Sequence, residues 1–265
     1  MLKQLALATL LTSSVLYADT IIGGEISLGV YSHSPSGTAS YTLADAHTST
    51  VDLEDDFGWS DDQDLVLKAY FEHPLPFLPN IKIAYSTLNQ SGTGTVEDFS
   101  WGPISGDGDI ETDLEVQMYD LTAYYELLDN VVEIDAGLTM RYLGGDIAVT
   151  PITDFGFTTP LGSISSSTAG VPYTTDIDMW IPMLYGKARF NIPTTDISLQ
   201  FEANGISYEE TTFYDYELSA RYTFMMGLGI EAGYKSIHLD SEDLADGLIV
   251  DVDFSGPYAS IVWNF

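Results

Sequence analysis

The 265-residue chain sets 40 Asp and Glu against 8 Lys and Arg, a formal charge of −32, with 45% hydrophobic residues, 17 Tyr and no Cys. So acidic a chain lacks the basic face that nucleic acid requires or that an anionic leaflet recruits, and it is too rich in apolar and aromatic side chains to be disordered. Without cysteine it has no disulfide framework, thiolate nucleophile or zinc knuckle.

The amino terminus has the layout of a secretory signal peptide. Met1-Leu2-Lys3 is a positive start, an apolar stretch covers 5–16, and Leu16-Tyr17-Ala18 ends on a small residue. The apolar run falls short of the roughly 20 residues of a spanning helix. The expected organisation is a signal peptide over 1–18 and one β-barrel domain over 19–265.

From residue 24 onward hydropathy alternates with period two, which marks strands. Ten segments emerge, most of them close to the roughly 9–11 residues of a tilted membrane strand. The first, 24–32, opposes Ile26, Leu28 and Val30 to Glu25 and Ser27. The second, 64–73, opposes Leu65, Leu67, Ala69 and Phe71 to Lys68, Tyr70 and Glu72. In the third, 81–87, Ile81, Ile83 and Tyr85 face away from Lys82. The fourth, 116–127, sets Tyr119, Leu121, Ala123 and Tyr125 against Asp120, Thr122 and Glu126. The fifth, 131–143, sets Ile134, Ala136, Leu138 and Met140 against Glu133, Asp135 and Arg141. Segment six, 182–191, has Leu184, Ala188 and Phe190 opposite Lys187 and Arg189. Segment seven, 197–207, has Ile197, Leu199 and Phe201 opposite Gln200 and Glu202. The eighth, 214–224, separates Leu218, Ala220 and Tyr222 from Asp215, Glu217 and Arg221. The ninth, 228–237, separates Ile230, Ala232 and Tyr234 from Glu231 and Lys235. The last, 255–265, places Ala259, Ile261, Trp263 and Phe265 opposite Tyr258, Ser260 and Asn264.

Short turns at 74–80, 128–130, 192–196 and 225–227 contrast with long connections at 33–63, 88–115 and 144–181. Tight turns at one end and long connections at the other are the layout of an outer-membrane barrel. The expected fold is therefore all-β: a transmembrane antiparallel up-and-down barrel of about ten strands with long extracellular loops, eight strands being the alternative if segments seven to nine are parsed differently.

Charge placement is a second test. Lys68, Lys82, Arg141, Lys187, Arg189, Arg221 and Lys235 all fall on the polar face of an expected strand. A lipid-facing Lys or Arg at the midplane costs about 2–4 kcal/mol, so this face is the inner one. Glu25, Glu72, Asp120, Glu126, Glu133, Asp135, Glu202, Asp215, Glu217 and Glu231 share it, and seven cations among ten anions point to a lumen filled by crossed ion pairs. A barrel of about ten strands is little wider than those whose side chains fill the interior.

The other acids lie in connections, turns or strand extensions. Asp52, Glu54, Asp55, Asp56, Asp61, Asp62 and Asp64 crowd the first long connection and its junction with the second segment, and Asp107, Asp109, Glu111, Asp113 and Glu115 form an alternating row that continues the fourth segment past the membrane boundary. Alternating carboxylates are a weak Ca²⁺ or Mg²⁺ signal, since these hard ions take oxygen ligands; the plain reading is a solvated acidic surface. Outer-membrane lipid and lipopolysaccharide phosphates bridged by divalent cations are its expected neighbours. Tyr85, Tyr119, Tyr142, Trp180 and Tyr214 lie near segment ends, where aromatic girdles form, while Tyr31 and Tyr185 have lumen parity. His33, His47 and His73 are scattered and read as incidental.

The carboxyl end, Tyr258-Ala259-Ser260-Ile261-Val262-Trp263-Asn264-Phe265, resembles the C-terminal signature of outer-membrane proteins. That resemblance implies that Trp263 and Phe265 address the chain to the barrel-assembly machinery. The mature chain also resembles the Gly-Gly outer-membrane protein family, through Ile22-Gly23-Gly24, His73-Pro74-Leu75-Pro76-Phe77-Leu78-Pro79-Asn80, Asp135-Ala136-Gly137, Arg141-Tyr142-Leu143-Gly144-Gly145 and Tyr185-Gly186-Lys187-Ala188-Arg189-Phe190. This implies a small barrel and carries no activity.

The resulting expectation is a monomeric outer-membrane barrel with a structural or narrow-channel, porin-like role and no enzymatic activity. Its alternative is an acidic loop surface for a ligand, a cation or adhesion. A further alternative is an outer-membrane hydrolase, because ten-strand barrel proteases of similar size use rim Asp and His residues, and His238 and Asp240 here share a strand face with the spacing of a carboxylate-oriented base.

Overall fold

The computed structural model describes residues 23–42, 49–75, 77–159, 162–167, 169–245 and 247–265. The expected signal peptide over 1–18 and His47 lie outside the described residues. In chain order the strands are β1 (Gly23–Tyr41), β2 (Val51–Asp52), β3 (Asp62–Glu72), β4 (Asn80–Trp101), β5 (Ile104–Leu128), β6 (Val132–Pro151), β7 (Phe155–Thr159), β8 (Gly162–Ser167), β9 (Tyr173–Asn191), β10 (Ile197–Tyr208), β11 (Thr211–Thr223), β12 (Leu228–Ala245) and β13 (Leu248–Asn264). Ten of them form a closed antiparallel wall in the order β1, β3, β4, β5, β6, β9, β10, β11, β12, β13, and β13 pairs back onto β1. The ten-strand reading holds and the eight-strand alternative falls. Short β2 adds to β1, and β7 with β8 makes a separate hairpin.

The closing seam is tight. Gly24 N–H donates to Phe265 C=O at 3.0 Å, and Phe265 N–H returns the bond to Gly24 C=O at 2.9 Å. A Cβ on Gly24 would stand 2.6 Å from the Phe265 ring, so a larger residue there would have to displace that ring.

The strands are longer than their hydropathy segments. β4 and β5 have 22 and 25 residues, and their ladder continues from Leu88↔Val116 up to Trp101↔Ile104. The expected loop at 88–115 is thus mostly a hairpin. The connection at 144–181 contains the end of β6, the β7–β8 hairpin and the start of β9, and that at 33–63 contains the end of β1, β2 and the start of β3. The expectation of long loops is corrected accordingly.

The physical reason lies in a slip of phase. Along β5 every even residue points inward, from Thr112 to Tyr124. In the lower part the outward residues are apolar, Tyr119, Leu121, Ala123 and Tyr125, and the inward ones are polar, Asp120 and Thr122. In the upper part the outward residues are Glu111, Asp113 and Glu115, and the inward ones are Leu114, Val116 and Met118. β6 does the same between outward Met140 and inward Leu143, and β12 between outward Tyr234 and inward Ile237. Backbone direction never changes; only the polarity of the two faces is exchanged. An outward apolar face suits lipid, whereas an inward apolar face and an outward charged one suit water. The barrel has two storeys, a lower one built for a membrane and an upper one built like a soluble β-barrel.

Candidate functional site

The lower lumen is filled by charge. At its base the Arg221 guanidinium donates to Glu25 at 2.6 and 2.7 Å and to Glu231 at 2.7–2.8 Å. Arg189 reaches Glu25 at 3.2 Å, Glu133 at 3.3 Å and the side-chain amide oxygen of Gln200 at 2.9 Å. In the middle, Lys68 and Lys235 share Glu217, the latter at 2.8 Å, while Lys82 pairs with Glu202 and Lys187 with Asp135 at 2.6 Å. Tyr70 O–H donates to Glu202 at 2.7 Å. Lys82 also lies over the Tyr185 ring and Lys187 over the Tyr70 ring, at 5.0 and 5.1 Å from the centroids. At the top, Arg141 takes Asp120 in a two-pronged grip at 2.7 Å and reaches Asp215 at 2.7 Å. Planar guanidinium forks suit this bridging between strands.

The seven cations singled out in the sequence therefore all point inward and each meets at least one carboxylate. Of the ten acids, eight join these pairs. Glu72 is half-buried and accepts a bond from Tyr124 O–H at 3.0 Å. Glu126 departs from the pattern: it is exposed at the lower rim, where a bulge between Glu126 and Leu128 turns the strand end out. Tyr31 and Tyr185 are buried lumen fillers.

His33 is not incidental. It is 1% exposed, its Nε2 pairs with Asp64 at 2.9 Å, and its Nδ1 meets the Gln90 amide at 3.2 Å. Asp64 also accepts from Thr87 Oγ1 at 2.6 Å and from the Asn89 N–H at 2.7 Å. The ladder between β3 and β4 stops at Val66↔Ser86, so this knot holds the two strands together where their backbone pairing ends. A lone His on a strand face carries no sequence signal of such a role. His73 sits in the first lower turn, with Nε2 at 3.2 Å from Pro79 C=O.

Above this knot the interior is mainly apolar, with a few buried hydroxyls such as those of Thr112 and Thr175. Val51, Leu53, Phe57 and Trp59 enter it from a strap formed by residues 51–61, which fills the wall between β1 and β4 above β3. The strap is internally tied: Asp52 accepts the N–H groups of Glu54 and Asp55 at 2.9 Å each, and Asp56 accepts that of Asp52 at 2.8 Å. Trp59 Nε1–H donates to Thr112 Oγ1 at 2.8 Å. It lies so close to β4 that a Cβ on Gly94 would meet the Asp56 carbonyl oxygen at 1.7 Å. The acidic run expected as loose surface is thus in part turn chemistry, a correction to the loop reading. At the outer end Tyr41, Trp101 and Tyr173 close over the interior, and Tyr41 and Tyr173 hydroxyls meet at 3.2 Å. That bond and burial push the Tyr173 hydroxyl up to about 12. Beneath this cap lies an apolar chamber of ≈ 80 Å³, walled by residues that include Ala39, Leu114, Ile147, Phe213, Val252 and Phe254.

Outside, Tyr85, Tyr119, Tyr142 and Trp180 stand abreast on β4, β5, β6 and β9, with successive ring centroids 4.9, 6.2 and 4.9 Å apart. This row marks the boundary between storeys. Above it Asp107, Asp109, Glu111 and Asp113 all face outward along β5. Asp107 accepts the Asp98 N–H and Asp109 the Thr95 hydroxyl, both at 2.7 Å. Among the described residues no group of three or more His, Asp or Glu is arranged to hold a metal ion. His238 and Asp240 share the outer wall of β12, but His238 Nδ1 pairs with Asp253 of β13, at 3.1 Å, and stacks on Tyr214. This dyad faces away from the lumen.

No family model matches the chain, and no curated protein matches it. Among solved structures it is similar to the outer membrane protease OmpT from Escherichia coli, at 12% identity over 92% of this chain and 97% of that one, with a TM-score of 0.62. Other matches are Ail of Yersinia pestis, at 10% identity over 91% and 99% with a TM-score of 0.33, and Neisserial surface protein A, at 8% over 91% and 97%, also 0.33. The fold is that of a Gram-negative outer-membrane β-barrel.

Proposed function

We propose that the protein is a sealed, monomeric, non-enzymatic outer-membrane barrel whose lower storey anchors it and whose upper storey stands beyond the outer leaflet as an acidic surface. The observation that carries this reading is the interior, which is occupied by ion pairs below and by an apolar core and strap above. A narrow-channel role requires a wetted path, and the Arg141 and Arg221 bridges cross the line such a path would take. The acidic outer wall faces the zone of lipopolysaccharide headgroups, whose phosphates reach it through divalent cations. Placement in the Gly-Gly family and recognition of Trp263 and Phe265 by the barrel-assembly machinery belong to this reading. Support for the second comes from Phe265, which sits at the closing seam with its ring 5.1 Å from that of Trp263.

Conductance tests it. Refolded mature protein in a planar bilayer with KCl on both sides is expected to give no discrete steps, with folding verified by heat-shifted gel migration. Cation-selective steps from folded protein would restore the narrow-channel alternative.

A further inference from the structure

The interior of an outer-membrane barrel is ordinarily polar, and here the lower storey obeys that rule while the upper storey breaks it. A ten-strand wall encloses slightly more width than side chains fill with ease. Below, long Arg, Lys, Glu and Tyr side chains span that width and meet at the axis. Above, short inward groups such as Leu114, Val116, Ile147, Val250 and Val252, with Ala39 the smallest, are interspersed with Trp59, Met118, Phe213 and Phe254. The side chains leave a chamber of ≈ 80 Å³ among them.

Its chemistry is one-sided. The lining residues drawn from β1, the strap, β4, β5, β6, β9, β11, β12 and β13 are all apolar, and the Trp59 N–H points away, to Thr112. A buried water needs about two to four polar partners, and the described lining residues offer none. Dry cavities lined by Leu, Ile and Phe bind apolar guests, an engineered one of about 150 Å³ holding benzene or xenon. Roughly half that volume limits the guest to something smaller than benzene.

We infer that this chamber is a binding site for a short, uncharged hydrocarbon group, three to four carbons in extent. The site is separate from the lumen ion pairs and does not depend on whether the barrel conducts. Shape and desolvation provide the recognition, so straight or singly branched alkyl groups are accepted, and alcohols and carboxylates of the same length are rejected.

Xenon is the first probe. Crystals of the full mature chain under xenon pressure are expected to show an anomalous peak inside the chamber, between Leu114, Phe213 and Val252. In detergent solution, ¹²⁹Xe NMR should show a slow- or shifted-exchange population that propane displaces and n-propanol does not. Ala39→Leu, which places an isobutyl group in the space, should abolish both signals, and Val252→Leu, a smaller fill, should weaken xenon binding at least several-fold. Heat-shifted migration checks that both variants fold. Xenon found only on the lipid-facing wall, or bound equally by wild type and both fills, would overturn the proposal. Displacement by propanol as readily as by propane would also overturn it.

Discussion

Arg141 shows what a single residue does in this lumen. From β6 it grips Asp120 on the neighbouring β5 and reaches across to Asp215 on β11. Removing one partner of a buried ion pair leaves the others uncompensated and costs about 3–5 kcal/mol. Arg141→Ala is therefore expected to lose about that much in urea unfolding of the refolded barrel, and the triple change Arg141→Met, Asp120→Leu, Asp215→Leu to recover most of the loss. Equal stability of the single variant and wild type would mean that water already solvates the pair. The inward face of Arg141 was legible from parity, because its neighbours Met140 and Tyr142 are apolar. Its partner Asp215 was not, since parity gives a face and neither a height nor a position around the barrel. The His33–Asp64 knot was illegible for the same reason: its members lie 31 residues apart on β1 and β3, and Asp64 reaches β4 just where the β3–β4 ladder has ended.

At the scale of an element, β5 is the most informative strand. Its lower half was read correctly from Tyr119, Leu121, Ala123 and Tyr125. The apolar segment ends at Val116 because inward Met118 follows the opposite phase to outward Tyr119, while the alternating acids before it extend the strand past the membrane boundary. The row of Asp107, Asp109, Glu111 and Asp113 is that extension, and what alternation alone leaves unread is the exchange of faces, with Leu114, Val116 and Met118 turned inward. Face now decides tolerance. Leu114→Lys, which puts an unpaired charge into the apolar core, is expected to cost about 4 kcal/mol or more. Asp113→Lys, one residue away on the outer wall, should stay within about 0.5 kcal/mol of wild type. Unfolding curves in urea compare the two, and similar losses at both sites would refute the inverted storey.

For the whole molecule, the consequence is a projecting region that is ordered by its ladders. Glu111 pairs with Thr93 and Thr150, and Glu115 with Asn89 and Asp146, each held between two strands. A Glu-specific protease needs an extended, detached segment, and backbone locked in a sheet opens only through larger unfolding. Intact barrels in outer-membrane vesicles should resist cleavage at Glu111 and Glu115, and the same chain in urea should be cut at both; mass spectrometry of the fragments decides. Prompt cleavage of the native barrel at these residues would return the region to mobile loops. Fold class and strand number were visible in the sequence because lipid enforces period two over enough residues to count. The upper storey was hidden because its core is assembled from residues that look, one strand at a time, like interruptions.

The slip of phase also acts as a load line. On β5 it falls between Met118 and Tyr119, on β6 between Tyr142 and Leu143, and the girdle tyrosines sit at that mark. Each residue advances a strand by about 3.4 Å, so relocating the slip by two residues on every strand would change the draught of the barrel by several ångströms without altering one backbone pairing. How deep this molecule floats is thus written in the order of its side chains, independently of how its strands are joined.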